Sequence, residues 1–492
     1  IQSFTTKGAA TVKIDVNGVS TIEYHNGLVS WNSVPFVSKY SVKVDGGEAV
    51  VVEGTNEYEA VIPSGKRTIE VAIIDSSNVV GTYYKVEIEI YALIFNVGDA
   101  PEVESYYYVK GDSIDQLPTP TYEGYDFLGW FTSEEGAIEF TDETFSWETD
   151  HEIYAHWNGK TYVAHLEYAN YGTGDVTQVT TTFGADFELP VPASSSNLKA
   201  FIGWFSELNG QGERYTNELG KSLRTWRDYQ EVTLYAGWVD VFKFNLINNG
   251  KEYSVSKGDG ISYVTNITIP ATYAGLPVTT VEAGGFASCS TLVAVNIPNT
   301  IKNVEVGTQG PNGTGSCFQS CSKLEEVNVY EVEGAIAEDV KYLSIDGVLI
   351  YKNDFNGVEI KYVPYYTKSG VYTVPSIVTT IPTNAFRSCS KIEEIIIPTT
   401  VTQIDETAFY GCSKLTTVTF LEPEEGQTAE KLSLGSKVFQ SCSALEEINL
   451  PARLAQFSTD VFTTCSKLAR VNIVGTYPDQ VYSSKDGVLL TA

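Results

Sequence analysis

The chain has 492 residues, with 62 Asp plus Glu against 32 Lys plus Arg, a net charge of −30. An anionic surface repels phosphate, which excludes nucleic acid and anionic lipid as electrostatic partners, and no apolar run reaches the roughly 18 residues that a membrane helix needs. Hydrophobic residues make up 42%, enough for real cores, and the length corresponds to roughly three to five domains.

Methionine is absent and the chain starts at Ile1, so a processed or excised piece is expected. Tyr (31) and Gly (41) are abundant beside much Val and Thr, the vocabulary of strands and turns. The composition predicts a mainly β, multidomain protein. Residues 1–92 carry Leu28-Val29-Ser30-Trp31, Tyr40 to Val44 with Asp45-Gly46, Tyr58 to Ile62 and Ile69 to Ile73. Strands at near-regular spacing around one core Trp predict a β-sandwich. This segment resembles a fibronectin type III or Ig-like module.

The next segment holds an internal repeat. Gly124 to Phe131 (GYDFLGWF) is echoed by Phe201-Ile202-Gly203-Trp204-Phe205. Leu117-Pro118-Thr119-Pro120 and Leu189-Pro190-Val191-Pro192 precede the two copies. Closing strands follow them, Ile153 to Trp157 and Leu234 to Trp238. Both copies resemble Listeria–Bacteroides repeats, the internalin B-repeat family, over 93–159 and 160–240. The second departs by lacking Gly-Tyr before Phe201. The resemblance implies two small β-grasp-like modules.

The last half repeats one phrase, F-x-x-C-S-x-L. Its Phe and Cys are Phe286 and Cys289, Phe318 and Cys321, Phe386 and Cys389, Phe409 and Cys412, Phe439 and Cys442, Phe462 and Cys465. Apolar residues recur just after it, as in Val295 and Ile297 or Ile448 and Leu450, and Pro often closes that strand. Cys389 to Cys412 and Cys442 to Cys465 are both 23 residues apart, within the roughly 20–29 of leucine-rich repeats. Such units cannot bury an apolar side alone, so they stack into a solenoid with Phe, Cys and Leu in layers. Residues 241–492 resemble the BspA-like leucine-rich repeat family (LRR type 5), and Ile269-Pro270 with Gly275-Leu276-Pro277-Val278 is similar to that family's usual first repeat. Between Cys321 and Cys389 lies an insert, Ser344-Ile345-Asp346-Gly347-Val348-Leu349, with Asn356-Gly357 after it. Both pairs read as hairpin turns. The phrase returns as Ser484-Lys485-Asp486-Gly487-Val488-Leu489, close to Ala492, so a continuation beyond that end is expected.

All seven cysteines lie in the solenoid, six at one repeat position. They read as small buried residues of a packed layer, with disulfides as the other reading. Cys317 stands apart, four residues before Cys321. No His follows His165, which leaves a zinc site there short of ligands. His25, His151, His156 and His165 fall in no nucleophile or zinc motif, and no EF-hand or phosphate loop occurs. No catalytic residue, metal or cofactor is assigned. The acidic residues mark no particular pair and read as a solvated surface. Trp and Tyr of the middle modules fall at repeated strand positions, which suggests core before sugar stacking.

One surface is nameable. In each solenoid strand, residues between the buried positions point the other way. They form a row from Ala294 and Asn296 through Glu326, Asn328, Glu394, Ile396, Thr417, Thr419, Glu447, Asn449 and Arg470 to Asn472. It reads as a partner-binding face or as a solvated sheet with Asn stacked on Asn. The BspA-like resemblance implies a non-enzymatic adhesin at the bacterial surface or secreted. Its partner would be a host, matrix or bacterial-surface protein or glycan, with the smaller modules as stalk. A structural envelope role, or an accessory region of a larger extracellular enzyme, are the alternatives.

Overall fold

A computed structural model describes residues 2–5, 11–14, 18–25, 27–136, 138–141, 144–305, 315–353, 357–424 and 427–491. Ile1, Asn356 and Ala492, on which three of the expectations above rest, lie outside the described residues. Strands and short 3-10 turns carry the fold. The chain divides into two compact units. The first is Ile1–Ala164 with Thr180–Phe187 and Thr225–Glu231; the second is His165–Val179, Glu188–Arg224 and Val232–Ala492.

In the first unit, Ile22–His25, Leu28–Trp31 and Glu57–Glu59 form one antiparallel sheet. Lys39–Val44, Val50–Glu53, Gly65–Ile73 and Tyr84–Asn96 form the antiparallel part of another. One core joins both sheets: Val29, Trp31, Tyr40, Val42, Ile69 and Val71 are all nearly inaccessible. Period-2 alternation explains this, since each strand buries every second side chain.

The Tyr84–Asn96 strand serves two cores. Val86, Ile88 and Ile90 pack into the first core, and Leu93, Phe95 and Val97 into a second with Trp130, Phe145 and Ile153. The phase of burial thus changes from even to odd positions near Ala92. The far half of the strand pairs in parallel with His151–Gly159, starting at Leu93 opposite His151. Tyr125–Phe131 then pairs antiparallel with His151–Gly159.

Within the second unit, Lys199–Glu207 pairs with Val232–Asp240 and Gln211–Arg214. The two repeated segments share three devices. Their register slips at Phe127/Gly129 and at Phe201/Gly203. Gly129 (φ 138°) and Gly203 (φ 134°) take a backbone geometry that favours glycine at each slip. Trp130 Nε1 donates to the Pro118 carbonyl at 2.8 Å, and Trp204 Nε1 to the Pro190 carbonyl at 2.8 Å. The Leu-Pro-x-Pro phrase therefore supplies the acceptor that lets a buried indole keep a hydrogen bond.

From Phe242 onward the chain winds as a solenoid. One side carries parallel strands Asn266–Thr268, Ala294–Pro298 and Glu326–Tyr330, then Gly370–Thr373, Ile392–Ile397 and Thr417–Phe420, then Glu447–Pro451 and Arg470–Val474. Short strands line another side, Thr380–Ile381, Gln403–Ile404, Leu432–Leu434 and Leu454–Phe457, also in parallel. Between them runs the apolar core. The phenyl rings stack: Phe386 on Phe409 at 5.0 Å and 15°, Phe409 on Phe439 at 5.2 Å and 6°, Phe439 on Phe462 at 5.8 Å and 11°. Phe286 and Phe318 form a separate stack at 5.9 Å. Across the insert, Tyr362 meets Phe318 at 5.2 Å and Tyr372 meets Phe386 at 5.5 Å.

Candidate functional site

The strand face is built by the layer beneath it. Four F-x-x-C turns place their Cys under the preceding turn's Phe. Cys321 Sγ donates to the Phe286 carbonyl at 3.0 Å, Cys412 to Phe386 at 3.2 Å, Cys442 to Phe409 at 3.3 Å and Cys465 to Phe439 at 2.9 Å. These four rungs are thereby tied to the one before. All seven thiols are free in this structure, and all but Cys465 are buried. Burial pushes the Cys317 thiol up to about 12 and Cys465 up to about 11, the opposite of an activated nucleophile. Cys317 fills the position just before a Phe, and its carbonyl accepts the Phe286 N–H at 2.8 Å. Ala408 and Val438 do the same for the N–H groups of Phe386 and Phe409. A small apolar residue belongs there, which accounts for the seventh cysteine.

The residue before each repeated Cys takes a left-handed conformation: Ser288 (φ 60°), Ser320 (60°), Ser388 (60°), Gly411 (72°), Ser441 (64°) and Thr464 (59°). This turn redirects the chain into the next face strand.

Strand pairing puts the expected row in register. Asn296 lies opposite Asn328, Glu394 opposite Thr417, Glu447 opposite Arg470 and Asn449 opposite Asn472. Glu326, Thr417, Asn449 and Arg470 are exposed; Asn296, Asn328, Glu394, Thr419, Glu447 and Asn472 are half-buried. Ala294 departs from the expected outward row and is buried at 9% exposure. It sits on a central strand, paired in register with Asn266 on one side and Glu326 on the other.

Much of the row's polarity is matched internally. Asn328 Nδ2 reaches Asn296 Oδ1 at 3.5 Å, and Asn296 Nδ2 donates to Thr268 Oγ1 at 3.2 Å. Thr419 Oγ1 donates to Glu394 at 2.9 Å. Arg470 Nε donates to Glu447 at 2.8 Å, while Asn472 Nδ2 donates to Glu447 at 2.7 Å and to Asn449 at 2.9 Å. A neighbour one strand away thus gives most of these groups a hydrogen-bond partner.

One hairpin interrupts the row after Asn328 and a second closes it after Asn472, and sequence reasoning missed this role. Tyr342–Ile345 pairs with Val348–Lys352, and Tyr482–Lys485 with Val488–Thr491. The Gly347 carbonyl accepts the Val327 N–H at 2.9 Å, and Ser344 Oγ accepts the Val329 N–H at 2.9 Å. The second hairpin copies this: Gly487 accepts from Val471 at 2.9 Å and Ser484 Oγ from Ile473 at 2.8 Å. Each hairpin thus covers an open strand edge. The repeated S-x-D-G-V-L phrase was the available signal. After the first hairpin, Val348–Lys352 pairs on with Val358–Tyr362 around the segment that holds the expected Asn356-Gly357 turn.

The histidines serve local contacts. His25 Nδ1 meets the buried Asp112 carboxylate, and His156 stacks on Phe131 at 3.9 Å. His151 packs edge-on to Trp147 at 4.0 Å. Among the described residues no group of three or more His, Cys, Asp or Glu is placed to hold a metal, and no helix is long and apolar enough to cross a membrane.

Comparison with known proteins matches the solenoid repeats and the first of the two repeated segments. Residues 259–330 and 361–484 match the BspA type leucine rich repeat region in six copies. Residues 91–156 match the Listeria-Bacteroides repeat domain. Two proteins of Evansella cellulosilytica are similar. One, provisionally named a membrane protein, is 28% identical over 39% of this chain and 30% of its own length. The other, provisionally named a Gly-rich membrane protein, is 31% identical over 30% of this chain and 18% of its own. The chain therefore spans less than a third of either relative. Among solved structures, a leucine rich repeat protein of T. pallidum is 18% identical, covering 49% of this chain and 81% of its own, with a TM-score of 0.24. A leucine rich cell surface protein of Faecalibacterium prausnitzii is 15% identical, covering 48% and 94%, also at 0.24.

Proposed function

We propose that this chain is a non-enzymatic bacterial surface or secreted adhesin. In this reading the solenoid strand face binds a host, matrix or bacterial-surface protein or glycan, and the N-terminal modules act as stalk. BspA-type leucine-rich repeats and a Listeria–Bacteroides repeat domain are typical of bacterial surface repeat proteins. The relatives named as membrane proteins fit an envelope location. The observation that carries the reading is a set of register-aligned polar pairs, Asn296 with Asn328, Glu394 with Thr417, and Glu447 and Asn449 with Arg470 and Asn472, on three parallel sheets of the solenoid. Polar groups that already hold a neighbour lose less entropy on binding. Acidic and amide groups favour a partner that offers cations and hydrogen-bond donors, and the net charge of −30 steers such a partner in.

The test is binding of the labelled whole chain to epithelial cells and to immobilised matrix proteins. Glu326→Lys with Thr417→Lys changes two exposed positions of the row. Saturable binding that falls at least tenfold in the double variant supports the reading. Absence of saturable binding, or equal binding by the variant, overturns it.

A further inference from the structure

The first unit holds an open cavity of about 690 Å3 that the strand face does not involve. Its wall is a run of four rings. Tyr122 stacks on Tyr125 at 4.6 Å and 16°; Phe183 meets Tyr125 edge-on at 5.2 Å; Tyr229 stacks on Phe183 at 4.9 Å and 23°. Asp99, Glu123 and Arg227 also line it, and all three are exposed. Tyr229, at 50% exposure, offers a ring to incoming ligand. The groups converge: burial, Tyr125, Asp99 and Tyr229 together push the Tyr122 hydroxyl above its ordinary pKa.

Two glycines make the site. A Cβ on Gly124 would fall 2.5 Å from the Phe183 ring, and one on Gly184 would fall 2.1 Å from the Tyr125 hydroxyl. Both have positive φ, 85° and 77°. Only glycine lets the two segments approach closely enough for the rings to join.

We propose that this cavity binds a neutral oligosaccharide. The chemistry selects it by exclusion and by fit. An apolar ligand would strip water from two carboxylates and a guanidinium and give nothing back. An anion would be repelled by Asp99, Glu123 and the net charge of −30, and a simple cation would leave the Arg227 guanidinium without a partner of its own. A sugar hydroxyl both donates and accepts, so one ligand serves the carboxylates and the guanidinium. The C–H faces of a pyranose are flat and apolar, and they match the exposed ring of Tyr229 beside the half-buried Tyr122, Tyr125 and Phe183. The volume falls in the range of small-molecule sites, about 300–1,000 Å3.

The test is calorimetric titration of the whole chain with malto-, cello-, xylo-, manno- and chito-tetraose. We expect saturable binding of at least one. Tyr229→Ala should weaken it about three- to tenfold, the scale of one aromatic contact, and Arg227→Ala should weaken it as well. Both residues are exposed, so the melting temperature should hold; if Tyr229→Ala misfolds, Arg227→Ala decides. The strand-face variant Glu326→Lys with Thr417→Lys should bind the sugar normally, which separates this site from the adhesin reading. No binding of any tetraose, or binding that the cavity variants leave unchanged, overturns the proposal.

Discussion

The Cys442 thiol donates to the Phe409 carbonyl at 3.3 Å, and that carbonyl also accepts the Cys412 N–H of its own turn at 3.3 Å. One oxygen thus closes its own turn and anchors the next. Cys389, at the start of its stack, makes no such thiol bond among the described residues. Cys442→Ala should therefore cost more than Cys389→Ala. The shared loss of volume is about 1 kcal/mol, and the weak S–H bond adds about 0.5 kcal/mol. Urea unfolding followed by release of the remaining thiols reads the solenoid specifically, because all seven cysteines lie in it.

Gly411 occupies the left-handed position that Ser or Thr fills in the other copies. A Cβ there meets only Ser388 atoms at 3.8 Å or beyond, so space is not limiting. Gly411→Ser should cost less than Gly411→Val, which should lose about 1–2 kcal/mol because a β-branched side chain tolerates the left-handed conformation worst. Thermal melts of the two variants check this; equal losses would mean that the strain common to any Cβ at this φ, and not β-branching, governs the position.

Alkaline pH should loosen the solenoid. Burial raises Cys317 to about 12 and Cys465 to about 11, from an ordinary 9.0. Above pH 9 the unfolded chain releases thiol protons that the folded chain keeps. Stability is therefore level below about pH 9 and falls as pH rises towards 12. Cys317→Ala with Cys465→Ala should lessen that fall, while the raised Cys321, Cys389 and Cys442 thiols keep part of it, as urea midpoints between pH 8 and 11 would show.

Trp130 and Trp204 make the same 2.8 Å bond to a proline carbonyl in two different units. Trp130→Phe and Trp204→Phe should each cost about 1–2 kcal/mol, by lost volume and one lost hydrogen bond. Similar values in separate urea titrations would show that the two repeats use the same device.

Periodicity made the solenoid legible. A Phe, a Cys and a Leu at fixed spacing have one economical explanation, and Phe386, Phe409 and Phe439 stack accordingly. The outward row was legible for the same reason, because side-chain direction alternates along a strand. Ala294 failed because it is buried on a central strand paired on both sides. Contacts without a period stayed hidden. Ser344 caps Val329 and Ser484 caps Ile473 through side chains, and nothing in either spacing announces a partner. Tyr125 and Phe183 meet at 5.2 Å although 58 positions separate them, so the ring-lined cavity is a product of tertiary folding. At Cys321, Cys412, Cys442 and Cys465 the thiol-to-carbonyl bonds give a reason for Cys where size alone would accept Ala or Val.

The most direct measurement of the central claim is carboxyl footprinting of the whole chain, free and bound to epithelial cells. A carbodiimide labels exposed carboxylates, and Glu326 on the strand face is one. Glu102 and Glu104 are exposed controls in the first unit. Binding through the strand face predicts that labelling of Glu326 falls on cells while Glu102 and Glu104 react as before. Protection of Glu102 and Glu104 with Glu326 unchanged would contradict the account and move the binding surface off the solenoid.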